Sequence, residues 1–94
     1  MGVAFTIKYH KKVVTDDIPK LSATDKDRIH AAIEQKLTRE PEVFGVPLRK
    51  SLRGYKKLRV GDYRVIFRIE NMAVKILLIQ HRSIVYKNAD KRLS

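Results

Sequence analysis

Residues Arg53–Ile69 read RGYKKLRVGDYRVIFRI, two alternating stretches on either side of Gly61-Asp62. Glycine in the first of two turn positions suits a type II′ hairpin, whose two-residue turn fixes the register. Val60 then opposes Tyr63, Arg59 opposes Arg64, Leu58 opposes Val65, and Lys57 opposes Ile66. Opposed residues share a face of the sheet, so the hairpin separates into two sets. Leu58, Val60, Tyr63, Val65, Phe67 and Ile69 form an apolar face that can pack under helices. Lys57, Arg59, Arg64 and Arg68 gather on the other face, with Ile66 among them.

The rest of the chain builds outward from this hairpin. Asn71-Met72 leads into a third strand, so that Tyr55–Val60, Tyr63–Glu70 and Ala73–Arg82 make a meander. Val3–Tyr9 alternates Val3, Phe5, Ile7 and Tyr9 with smaller or polar residues, the pattern of a half-buried strand. In Lys11–Leu21, Val14, Ile18 and Leu21 fall at helical spacing, with Pro19 making the end irregular. Ala23–Arg39 carries the stripe Ile29, Ala32, Ile33 and Leu37, with Thr24 predicted as N-cap, Asp27 three residues on, and Pro41 at the exit. Pro41–Gly54 reads as a loop, and the last twelve residues add a short helix. The order predicts an α+β fold: a strand, then two helices packed on one face of a mostly antiparallel sheet completed by the C-terminal three-stranded meander.

Ninety-four residues, 44% of them hydrophobic, make one domain over 1–94 and exclude a disordered basic tail. The absence of cysteine removes disulfide and thiolate chemistry. The longest apolar run, Ile76–Ile79, is far short of a membrane span, and the N-terminal residues lack a basic start and a long apolar stretch, so a cytoplasmic protein is expected. Charge is divided unevenly. Residues 1–47 hold eight Lys/Arg against seven Asp/Glu, residues 48–94 thirteen against three, within a total of +11. Such a field opposes compaction and attracts polyanions, which points to nucleic acid.

Arg59 facing Arg64 disfavours the sheet by up to about 1 kcal/mol. The pair becomes useful once a phosphate sits between the two guanidinium forks, which grip phosphate bidentately; the plain alternative is a set of solvated charges that suppress aggregation. On the last strand Gln80 and Arg82 share one face, while His81 lies on the other with Ile79 and Leu77. Tyr86 follows four residues after Arg82. Histidine is the natural acid–base group near neutral pH, and tyrosine can stack on a base or give a proton; a packed histidine and a core tyrosine are the plain alternatives. His10 and His30 have no ligand-spaced partners, no glycine loop cradles phosphate, and Asp62, Glu70 and Asp90 are scattered. Phosphodiester chemistry here is expected to need neither metal nor cofactor.

Leu52-Arg53-Gly54-Tyr55, Lys57 through Ile66, and His81-Arg82-Ser83-Ile84-Val85-Tyr86, in that order, resemble the RelE/ParE toxin superfamily, and more narrowly its RelE branch. The resemblance implies an mRNA interferase: a ribosome-dependent endoribonuclease cutting message in the decoding site, neutralised by a cognate antitoxin expected here to be acidic. Carried onto this sequence, Lys57, Arg59 and Arg64 hold the scissile phosphate, Arg82 and Tyr86 complete the site, and His81 matches a histidine of many relatives. Lys50, Arg53, Lys56 and Arg68 are expected to hold flanking RNA. Some members carry lysine where this chain has Tyr55 and arginine where it has Gln80, which leaves the base open. The 2′-OH would attack, Arg59 and Arg64 would stabilise the phosphorane charge, and Lys57, its pKa lowered by neighbouring arginines, is a candidate base. Arg82, His81 and Tyr86 are candidate acids. The alternatives are a ParE-like poison of DNA gyrase and a noncatalytic RNA-binding domain.

Overall fold

A computed structural model describes residues 4–93, so the predicted strand start at Val3 lies outside the described residues. Strand β1 spans Thr6–Tyr9. A helical segment follows, with a wide turn at Val13–Asp17 and a tight one at Ile18–Lys20. Helix α1, Ala23–Ala32, continues into a second wide turn, Ile33–Leu37. Then come α2 (Pro41–Phe44), β2 (Val46–Pro47), a short turn at Lys50–Leu52, β3 (Lys56–Val60), β4 (Tyr63–Glu70), β5 (Ala73–His81) and α3 (Val85–Leu93). The sheet order is β1-β5-β4-β3-β2, with β1 parallel to β5 and every other pair antiparallel.

The hairpin has the predicted register, with Lys57↔Ile66, Leu58↔Val65, Arg59↔Arg64 and Val60↔Tyr63. Gly61 has φ +59 while Asp62 does not enter the left-handed region, as a II′ turn requires. The helices cover the expected face, where Ile29, Ile33 and Leu37 pack with Leu58, Val65 and Phe67.

Several expectations need correction. The first helical segment buries Val13 and Asp17, while Val14 is 54% exposed. Ile18 donates its N–H to Val13 O, five residues back, and this wide turn sets the buried face one residue earlier than the apolar spacing suggested. The cap of α1 is Ser22, not Thr24, its Oγ accepting from Asp25 N–H at 3.1 Å. The 41–54 segment is no plain loop, because it contains α2 and the edge strand β2, which pairs Val46 with Lys57. Gly45 makes the approach possible: a Cβ there would stand 2.4 Å from Phe67 Cζ.

The second face of the sheet is also covered. A register shift between Ile66 and Phe67 leaves Leu77 as an extra residue on β5, so Leu77 joins Leu78 on the second face instead of Ile79 on the first. Leu77, Leu78, Ile66 and Leu52 form a small core there with Val85 and Ala89 of α3. Burying each of Ile66, Leu78 and Val85 contributes about 1.5–3 kcal/mol. A nine-residue helix is marginal alone, so this docking is what makes α3 persist.

One polar contact locks the docking. Arg92 donates to both carboxylate oxygens of buried Asp17, at 2.7 and 3.1 Å, and to Leu77 O at 3.1 Å. Asp17 also accepts from Ile79 N–H at 3.0 Å, on the stretch of β5 beyond its pairing with β1, and from Gln80 Nε2 at 3.0 Å. Breaking a buried pair by removing one partner costs roughly 3–5 kcal/mol. Asp17→Ala should therefore lower unfolding free energy by about that amount in urea titration. In a double-mutant cycle with Arg92→Ala the two losses should fall well short of adding.

Candidate functional site

The site grows from the second face of the β3–β4 hairpin, where period-two alternation aims Lys57, Arg59 and Arg64 to one side. α3 brings Tyr86 over it. Lys57 Nζ donates to Tyr86 Oη at 3.2 Å and lies 5.5 Å from the ring centroid, so the cation meets both the hydroxyl and the π face. The ring is half-buried on the second core beside Leu48 and Tyr55, which fixes its position. Arg59 is exposed beside this pair. Arg64 is held by its own turn, Nη1 donating to Gly61 O at 3.0 Å and Tyr63 O at 2.9 Å. Arg82 stands at the rim, its N–H donating to Asp62 O at 2.8 Å and its Nε 3.7 Å from Asp62 Oδ1. The hairpin tip thus orients two arginines.

Other candidates lie elsewhere. His81 pairs with Tyr63 on the opposite face, edge-on to its ring at 5.7 Å, and its Nδ1 accepts from Ser83 N–H at 3.1 Å. Lys56 shares a parity with Leu58 and so turns to the helix-covered face at the Gly45 end. Arg68 is on the cationic face but at its far end, over the Tyr55 ring at 5.7 Å and 2.8 Å from Glu70. Lys50 and Arg53 are exposed on the segment before β3. The spot where some relatives carry arginine holds Gln80, opposite Arg64 on the same face, where its side chain bonds Asp17 and Asn88.

Two contributors had no local signal. Arg28 of α1 reaches the hairpin tip, where a Cβ on Gly61 would lie 3.1 Å from its Nη2. Asp62, set aside as a scattered acid, is the anchor of Arg82. Among the described residues no group of three or more His, Asp or Glu is arranged to hold a metal ion.

Lys57, Arg59 and Arg64, with Arg82 at the rim, stand beside Tyr86 on the second face of a helix-backed sheet, the layout of a small basic protein with a cationic face suited to an anion. The family model described as ParE toxin of type II toxin–antitoxin system, parDE, matches residues 7–86. Over 53 residues the chain is 43% identical to Toxin RelG of Mycobacterium tuberculosis, covering 54% of this chain and 61% of RelG. It therefore spans less than two thirds of that relative's length. The toxin–antitoxin complex RelBE2 of the same organism contains a chain 32% identical, with TM-score 0.78 over 85% of this chain and 100% of that one. A mutant of Escherichia coli toxin RelE in the free state matches at TM-score 0.71 and 20% identity over 97% and 99% of the two chains, a likeness of fold. The chain belongs to the RelE/ParE toxin superfamily of type II toxin–antitoxin systems.

The Arg59–Arg64 pair makes a stability prediction. Arg59→Thr removes a like-charge opposition and supplies a strand-favouring residue, so it should raise the urea midpoint by up to about 1 kcal/mol equivalent. Arg64→Ala should show no such gain, because it also forfeits two hydrogen bonds to the turn.

Proposed function

We propose that this protein is the toxin of a toxin–antitoxin module and acts as a ribosome-dependent, metal-independent endoribonuclease on mRNA in the decoding site. The observation that carries the reading is the Lys57–Tyr86 contact, 3.2 Å, set among Arg59, Arg64 and Arg82. RNA brings its own nucleophile, so the protein has three tasks: taking the 2′-OH proton, stabilising charge on phosphorus, and protonating the 5′-oxygen. Lys57 is the base that takes the first proton. Arg59 and Arg64 hold the equatorial oxygens, where fixed donors aimed at developing charge contribute about 3–4 kcal/mol each. Arginine does not give up its proton in proteins, so the acid is Tyr86 rather than Arg82. As the 2′-oxygen–phosphorus bond forms and the bond to the 5′-oxygen breaks, Tyr86 protonates the leaving oxygen, and Lys57 returns a proton to Tyr86 through their hydrogen bond. The products are a 2′,3′-cyclic phosphate and a 5′-hydroxyl. His81, on the opposite face, takes no part.

The cognate antitoxin is an acidic protein, suited to a chain of net charge +11. The cytoplasm, where ribosomes work, is the site of action. A second reading, a ParE-like poison of gyrase, is favoured by the description of the matching family model.

The test is a message with a single 2′-deoxy substitution at the scissile position, programmed into ribosomes. It should resist cleavage there while the unmodified message is cut and yields a cyclic phosphate end. Tyr86→Phe should lose cleavage by about 100-fold or more with an unchanged thermal transition. Normal cleavage of the substituted bond would exclude the mechanism, and an intact unmodified message with inhibited gyrase would favour the ParE reading.

A further inference from the structure

Outward from the far end of the site, a row of cations crosses three adjacent strands on the same face of the sheet. Lys8 of β1 is in register with Lys75 of β5, and Lys75 with Arg68 of β4. Val74 and Ile76 are buried in the first core, which turns Lys75 to the second face, and its register partners follow. With strands about 4.8 Å apart the row spans about 10 Å, and Arg68 lies four residues from Arg64, about 13 Å along β4. Two successive like-charge pairs disfavour folding. A single acid sits against them: Glu70 accepts from Lys75 Nζ at 2.6 Å and from Arg68 Nη2 at 2.8 Å. The hydrogen bond from Lys75, then the charges of Arg68, Lys75 and Lys8, hold its carboxyl below the ordinary carboxylate range despite some desolvation. Two cations thus pair with one carboxylate while Lys8 acts on it through space, leaving excess positive charge. Arg68 is supported from beneath by Tyr55, and its buried Nε has no hydrogen-bond partner among the described residues. Lys8, Lys75 and Glu70 line an open groove of about 370 Å³ at the β4–β5 turn.

We propose that Lys8, Lys75 and Arg68 form a second phosphate-binding row that takes the backbone of an RNA strand other than the one cleaved, with Glu70 occupying the anion position until RNA arrives. The inference rests on RNA being the partner. Lys8 and Lys75 lie on β1 and β5, beyond the cleavage residues of β3, and Arg68, diagonal to Lys57 across the β3–β4 pair, is where the row meets that site. An RNA backbone fits better than a protein surface. Protein interfaces are built on apolar anchors, and the groove offers one exposed large apolar side chain, Met72.

The experiment measures binding of the full chain to a short 2′-O-methylated RNA duplex, which no 2′-OH attack can cut, across a salt series. Lys8→Glu with Lys75→Glu should reduce the slope of log affinity against log salt by about 2. Lys11→Glu with Lys26→Glu, an equal change of net charge on the helical side, should leave the slope near the parent value. Glu70→Gln should tighten binding, and only while Lys75 is present. Equal losses in the two double variants would mean that net charge alone is at work and overturn the row, as would a Glu70→Gln variant that binds no more tightly. Normal duplex binding by the row variant with weakened capture of an acidic protein partner would reassign the surface to protein and overturn it too. Cleavage assays on programmed ribosomes keep this apart from the functional reading. No cleavage by the parent, with the row effects intact, would fail that reading and leave the row standing.

Discussion

The Asp17–Arg92 contact is the constraint on which the rest of the molecule depends. It joins three parts at one carboxylate: the first helical segment, the open edge of β5 and the last turn of α3. The apolar underside of α3, Val85 and Ala89, drives docking but is tolerant of sliding, since dispersion and burial have little direction. A bidentate guanidinium–carboxylate pair does have direction. Arg92 lies six residues from Tyr86, about 9 Å along the helix. The far end of α3 therefore sets the angle at which the tyrosine meets Lys57, and Asn88, bonded to Gln80 at 2.7 Å, pins the middle.

The hairpin was legible in the sequence because two independent signals, a two-residue turn and strict alternation, demanded the same register. Where only one signal existed the reading slipped. Val14 looked as apolar as Val13, and the burial of a charged Asp17 at helical spacing from Val13 is intelligible only with Arg92, seventy-five residues away. The two-residue strand β2 is too short for any period to appear, and pairing with β3 alone defines it. Leu77 broke the alternation of β5 because an extra residue, invisible in a string of four apolar ones, moved it across the sheet.

The same distinction applies to the site. Lys57, Arg59 and Arg64 followed from hairpin parity, and Tyr86 from the resemblance, which carried information about α3 that local pattern did not. Parity also held the clue that Lys56 and His81 turn away from Lys57, one through Leu58 and the other through Tyr63. Arg28 reaches the hairpin tip only because α1 packs across it, a tertiary fact with no trace in local spacing.

Because Arg59 and Arg64 are opposed on neighbouring strands, the folded chain holds positive charges closer than the unfolded chain does. Folding and anion capture are consequently linked equilibria. Anything that seats negative charge between those guanidiniums binds the native state in preference to the unfolded ensemble, and by mass action it behaves as a folding ligand. The stability of this protein is then a property of its ionic surroundings as much as of its sequence. A buffer of phosphate and one of chloride at equal ionic strength are two different solvents for the same fold.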